Sequence, residues 1–152
     1  MKNLFLILFS FFIMSVSAQE TEKMAVQKTI EAFFEGFHKQ DSLLIKKTVS
    51  PNVVMQTISK DETGNPLVKT QDFQGFLKSI VGIPETTKFE EIITNYSIQI
   101  DGPMANAWTS YTFKIDDTFH HCGVNSFQLI KDVNRGWQII YIIDTRRTED
   151  CN

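Results

Sequence analysis

Two hydrophobic periods divide the chain. Between Glu22 and Gln40 apolar residues recur at three- and four-residue steps (Val26, Ile30, Phe33, Phe34, Phe37), which predicts an amphipathic helix. Asp41 is placed to cap a second, short helix through Ser42–Lys47, and Pro51 to end it. Val53 to Ser59 is rich in β-branched residues and predicts a strand, with a turn over Asp61–Pro66 and a return at Leu67 to Lys69. Gln71 to Val81 carries Phe73, Phe76, Leu77 and Ile80 on one side and predicts a third helix, stopped by Gly82 and Pro84. From Phe89 onward the period falls to two. Strands are expected over Phe89–Ile100, Ala105–Ile115, Phe119–Lys131 and Trp137–Thr145, separated by Asp101-Gly102-Pro103, Asp116-Asp117 and Asn134-Arg135-Gly136. Helices first and an antiparallel meander last predicts an α+β fold, with the helices on one face of a curved sheet.

The first 18 residues stand apart from this pattern. Lys2 gives a short positive start, Leu4 to Val16 is apolar apart from Ser10 and Ser15, and Val16-Ser17-Ala18 offers small residues. That combination predicts a signal peptide cleaved after Ala18, a run too short for a membrane span of about 20 residues. The expected product is a single domain over 19–152, secreted or periplasmic and no longer membrane-bound. With 15 basic against 18 acidic residues and no Lys/Arg cluster, nothing points to nucleic acid.

The stretch "FHHCGVNSF" at Phe119–Phe127 poses the sharpest chemical question. His120 and His121 are strand neighbours, so their side chains are expected on opposite faces and not on one metal. No spacing of His, Cys and carboxylates suggests a metal site, and no cofactor is expected. Cys122 and Cys151 are the only cysteines, and an exported chain keeps disulfides. A bridge between them is the expectation, and a bridged Cys122 is not a nucleophile.

The order of elements and the stretches "FHKQDSLLIKKTVSPNVVM", "DGPMANAW" and "FQLIKDVNRGWQIIYIID" resemble the NTF2-like superfamily, also called the SnoaL-like or ketosteroid-isomerase-like fold. The resemblance spans the chain after Ala18. It implies a cone, a strongly bent antiparallel sheet wrapped around N-terminal helices with a pocket between them, shared by enzymes and pure binding domains. It also implies positions for the isomerases' catalytic groups. Their tyrosine falls on Phe33, their base near Thr57, and their protonated carboxyl in the Asn125–Phe127 region. None of these residues matches its role.

Pairing Lys131 with Trp137 across the last turn sets Leu129 against Ile139, Phe127 against Tyr141 and Asn125 against Ile143. One face then carries His121, Asn125, Phe127, Leu129, Trp137, Ile139 and Tyr141, and this larger-residue face is assigned to the cone interior. The expected ligand-binding set is Phe33, Phe37, Met55, Tyr111, Phe113, His121, Asn125, Phe127 and Tyr141, although the same aromatics could simply fill the core. His121, Tyr111 and Asp144 are the candidates for acid–base chemistry. Asp144 with Arg146 and Arg147 could hold a ligand carboxylate or phosphate, or form salt bridges at the rim. The opposite face carries Val124, Ile130, Ile140 and Ile142, extended by Trp108 and Thr112. It is expected to pair two copies into a homodimer. Three functions remain: a secreted domain binding a small, partly apolar ligand, a small isomerase- or hydrolase-type enzyme, or a dimeric assembly module.

Overall fold

The computed structural model describes residues 2–151, with side chains from Gln19 onward. The leader expected over Met1–Ala18 lies outside the side chains described. Three helices, α1 (Lys2–His38), α2 (Ser42–Thr48) and α3 (Phe73–Val81), accompany six strands. These are β1 (Val49–Lys60), β2 (Pro66–Gln71), β3 (Phe89–Asp101), β4 (Met104–Ile115), β5 (Thr118–Asp132) and β6 (Gly136–Arg147). Among the described residues no helix is long and apolar enough to cross a membrane.

The apolar stripe of α1 does what its spacing predicts. Val26, Ile30, Phe33 and Phe34 are buried and pack on the concave side of the sheet against Phe127, Leu129 and Ile139. Gln40 ends α1 in a left-handed conformation (φ 55°). Asp41 then turns the chain and caps α2, its carboxylate accepting the Leu43 and Leu44 amides at 2.9 and 3.0 Å. Asp72 caps α3 in the same manner through the Gly75 amide.

The sheet is mixed and open, in the order β2-β1-β6-β5-β4-β3. All neighbours are antiparallel except β1 and β6, which run parallel. Pro51, expected to end α2, does not do so: α2 stops at Thr48 and Pro51 lies inside β1. It sits in the interval between Val49 and Val54 where pairing with β6 is interrupted, so its missing N–H costs no ladder hydrogen bond.

Two bulges correct the expected faces. The register Lys131↔Trp137 and Leu129↔Ile139 is present, but Gln128 then pairs with Tyr141, leaving Ile140 as an extra residue in β6. Because strand parity is two, that one residue exchanges inside for outside beyond it. Phe127 therefore opposes Ile142 rather than Tyr141, and Asn125 opposes Asp144 rather than Ile143. Ile142 is buried in the core, not on the outer face, and Tyr141 turns outward to donate its hydroxyl to Gln56 Oε1 at 2.6 Å. In β5, Phe113 pairs with His121 and Lys114 with Phe119, so His120 is the inserted residue.

The expected Cys122–Cys151 disulfide is present, with Cα atoms 5.8 Å apart. It ties the tail after β6 to β5 at a point where Cys122 is buried.

Candidate functional site

Between α1, α3 and the concave sheet face lies a cavity of about 470 Å³. Its walls are mainly aromatic. Phe33 and Phe37 come from α1 and Phe76 from α3, with rings stacked at 6.3 and 6.2 Å. Phe89, Phe113, Phe127 and Ile142 close the sheet side. All of the residues expected to bind a ligand line this cavity except Tyr141, which the β6 bulge removes.

Polar groups lie along β3–β6. Glu91, Tyr111, His120, His121, Asn125, Asp144 and Arg146 all line the cavity. Asp144 and Arg146 are there because of the Ile140 bulge, since an unbroken strand would send them outward. Arg146 Nε donates to Asp144 Oδ2 at 2.8 Å, an ion pair with the carboxylate side largely covered. Arg147, which shared the expected anion site, instead donates to the Asp150 carbonyl and does not line the cavity.

Glu91 is the residue that sequence reasoning missed. It is half-buried as a residue, but its carboxyl end is enclosed, and burial pushes its pKa up to about 7. Asn125 Nδ2 donates to its Oε1 at 2.7 Å and works against the rise, as does Arg146, while Asp144 adds to it. The enclosure, not the residue's average exposure, decides the direction. A signal was present in the sequence. Glu91 shares strand parity with Phe89 and Ile93, and a carboxylate on an inward-facing position is rarely accidental. Its backbone N–H also donates to His38 Nε2 at 2.9 Å, which requires that nitrogen to be unprotonated. Burial lowers the His38 pKa in the same sense.

Tyr111 is a weaker acid than expected. Its hydroxyl donates to the Thr145 carbonyl at 2.9 Å, and burial raises its pKa. His121 is buried against Phe113 and Tyr111, with ring centroids 4.8 and 5.6 Å away. Burial first, then Arg146 and His120, bring its pKa down to about 4, so the ring is neutral at pH 7. The expectation that His120 and His121 face opposite ways is corrected. The bulge at His120 lets both line the cavity, with Nδ1 atoms 2.8 Å apart. Among the described residues no three His, Cys, Asp or Glu side chains converge as a metal site.

The isomerase positions can now be located. Phe33 is an apolar wall and Phe127 a core residue, and Asn125 serves Glu91. Thr57 lies in β1 opposite Lys69 and Asp144 and does not line the cavity.

No protein-family profile matches the sequence, and no curated protein matches it either. Solved structures do. An NTF2-like protein of unknown function from Shewanella baltica is similar over 85% of this chain and 96% of its own, with a TM-score of 0.60 and 21% identity. An NTF2-like protein with a cystatin-like fold from Novosphingobium aromaticivorans is similar over 91% and 90%, with a TM-score of 0.69 and 7% identity. A Streptomyces avermitilis protein of the NTF2-like family, provisionally named a dehydratase, is similar over 85% and 98%, with a TM-score of 0.65 and 13% identity. At these identities the likeness carries the architecture and not the chemistry. The chain has the NTF2-like fold.

Proposed function

We propose that the protein binds a small, partly apolar molecule in its cone cavity, after export from the cell. The observation that carries this reading is the cavity itself. A volume of about 470 Å³ stays open among phenylalanines that could have filled it, and polar side chains converge on its sheet side. The Cys122–Cys151 bridge is consistent with an oxidising compartment.

Small molecules extracted from the purified protein and identified by mass spectrometry test the proposal. One retained species, lost when Phe113→Trp narrows the cavity, is the expected result. A clean extract, together with no thermal shift from any aromatic hydroxyl compound, would refute it.

Glu91 favours a second reading, a small enzyme of isomerase or hydrolase type. A carboxyl with a pKa of about 7 exchanges protons readily at neutral pH. A turnover assay across carbonyl compounds and esters in which Glu91→Gln is as active as wild type would count against it.

The outer sheet face supports a homodimer as a further part of the proposal. Met104, Trp108 and Ile130 are exposed there on adjoining strands. With the bulge taken into account, Tyr141 and Ile143 join Val124 on this side in place of Ile142.

A further inference from the structure

We infer that His120 and His121 form a two-ring proton relay between solvent and the cavity, serving a ligand that carries a weakly acidic hydroxyl, such as a phenol. The inference rests on the proposed reading of the cavity as a ligand site. Its geometric basis is the β5 bulge, which brings two adjacent side chains to the same place. His120 is exposed, whereas His121 is only 9% exposed. Their Nδ1 atoms lie 2.8 Å apart, so one ring donates Nδ1–H and the other accepts it.

That single hydrogen bond fixes the far nitrogens. In a neutral pair the donor ring has a bare Nε2 and the acceptor ring an Nε2–H. The pair thus always has one acceptor and one donor at its two ends. When His120 is the donor, a proton arriving at its Nε2 makes an imidazolium. The Nδ1–H then moves to His121 Nδ1, and His121 releases its Nε2–H toward the cavity. One proton enters and one leaves, and both rings end neutral with their tautomers exchanged. The reverse passage, taking a proton from a ligand hydroxyl, restores the starting state.

The surroundings suit this role. Phe113 packs against both rings, and Tyr111 meets His121 edge-on, which holds the rings in place. Burial first, then Arg146 and His120, disfavour a charge on His121, while Asp144 pulls the other way without reversing them, so the ring rests neutral at pH 7. A phenol matches the rest of the cavity, since its ring fits the phenylalanine walls.

Histidine-selective ¹⁵N NMR on the full chain at pH 7 tests the relay without any ligand. Beside His38, which accepts at Nε2 and so appears as an Nδ1–H ring, the His120–His121 pair should give one Nδ1–H ring and one Nε2–H ring, coupled through the Nδ1···Nδ1 hydrogen bond. His120→Phe and His120→Gln should each slow exchange of the His121 ring N–H with water at least tenfold. The glutamine can still accept a hydrogen bond but cannot pass the proton on, so a merely structural role would leave its rate unchanged. Unchanged exchange in both folded variants, or two Nε2–H rings in the wild type, overturns the relay. Photoexcited 2-naphthol is the ligand probe. Bound to wild type it should emit as naphtholate, and the His120 variants should cut that emission several-fold. If anisotropy shows 2-naphthol free in solution, the ligand class is wrong while the exchange result still judges the relay.

Discussion

Replacing Cys151 with serine opens the Cys122–Cys151 bridge while leaving the buried Cys122 in place. The bridge spans a sequence separation of 29 residues. In the chain-entropy relation, closing a loop of that length in the unfolded state is worth about 3.6 kcal/mol at 25 °C. The folded state should lose little on its own account. Cys151 is exposed, and a hydrogen bond from Arg147 Nε, at the end of β6, to the Asp150 carbonyl keeps the tail turned without the bridge. Nearly the whole entropic effect should therefore appear as lost stability. With a urea m-value of about 2 kcal/mol/M, the midpoint should fall by roughly 2 M. Urea titration of four samples provides the assay: wild type and Cys151→Ser, each with and without reductant. Reduced wild type should coincide with the variant, and reductant should not move the variant further. A midpoint drop below about 0.5 M would refute the reasoning, because the unfolded chain would then gain little freedom from losing the bridge.

The remaining predictions concern the site and the outer face. Gly123→Ala should destabilise by roughly 3–5 kcal/mol in urea titration, because a Cβ would overlap the Thr145 carbonyl and the Tyr111 ring and break their hydrogen bond. Stability that is unchanged would show that β5 and β6 can separate there without cost. Glu91 has its folded pKa raised from 4.5 to about 7, so its contribution is present at low pH and lost as pH rises through that window. His121 is depressed from 6.5 to about 4, so its contribution is present above 6.5 and lost as pH falls toward 4. The two slopes oppose each other between about pH 4.5 and 6.5. Relative to wild type, Glu91→Gln should make urea midpoints climb more steeply with pH there, and His121→Phe should make them fall, whereas parallel profiles would contradict both shifts. Ile130→Glu should yield a folded monomer by sedimentation, while Ile142→Glu should unfold the chain by placing a carboxylate in the core. A wild type that sediments as a monomer at high concentration would end the dimer proposal.

Local signals made most of the architecture legible. The apolar stripe of α1, the Asp41 cap and the turn glycines act over a few residues, and the sequence displays them directly. The first pairs beyond the β5–β6 turn were equally readable, because turn length sets register. Legibility ended at Ile140. A bulge inserts one residue without any composition mark, and past it Tyr141 and Ile142 exchange faces. The same loss of parity at His120 hid the histidine pair. Glu91 was hidden differently. Its partner Asn125 is 34 residues away, and the burial that shifts its pKa comes from elements the strand cannot announce.

The parallel seam between β1 and β6 has a consequence for how the molecule comes to exist. Strands β3 to β6 join through short turns, and β1 joins β2 in the same way, so both units can form from nearby contacts. The seam joins Met55 to Ile142 and Gln56 to Ile143, across most of the folded chain. Contacts of such long range are slow to nucleate, because the intervening loop must be closed before they return anything. The strand that completes the sheet is also the last one to leave the ribosome, yet it sits between β1 and β5 rather than at an edge. Until it arrives, β1 and β5 each have an unpaired side, and the phenylalanines of α1 have only part of their wall. Nascent chains should therefore stay open, with the sheet in two unjoined parts, until β6 emerges.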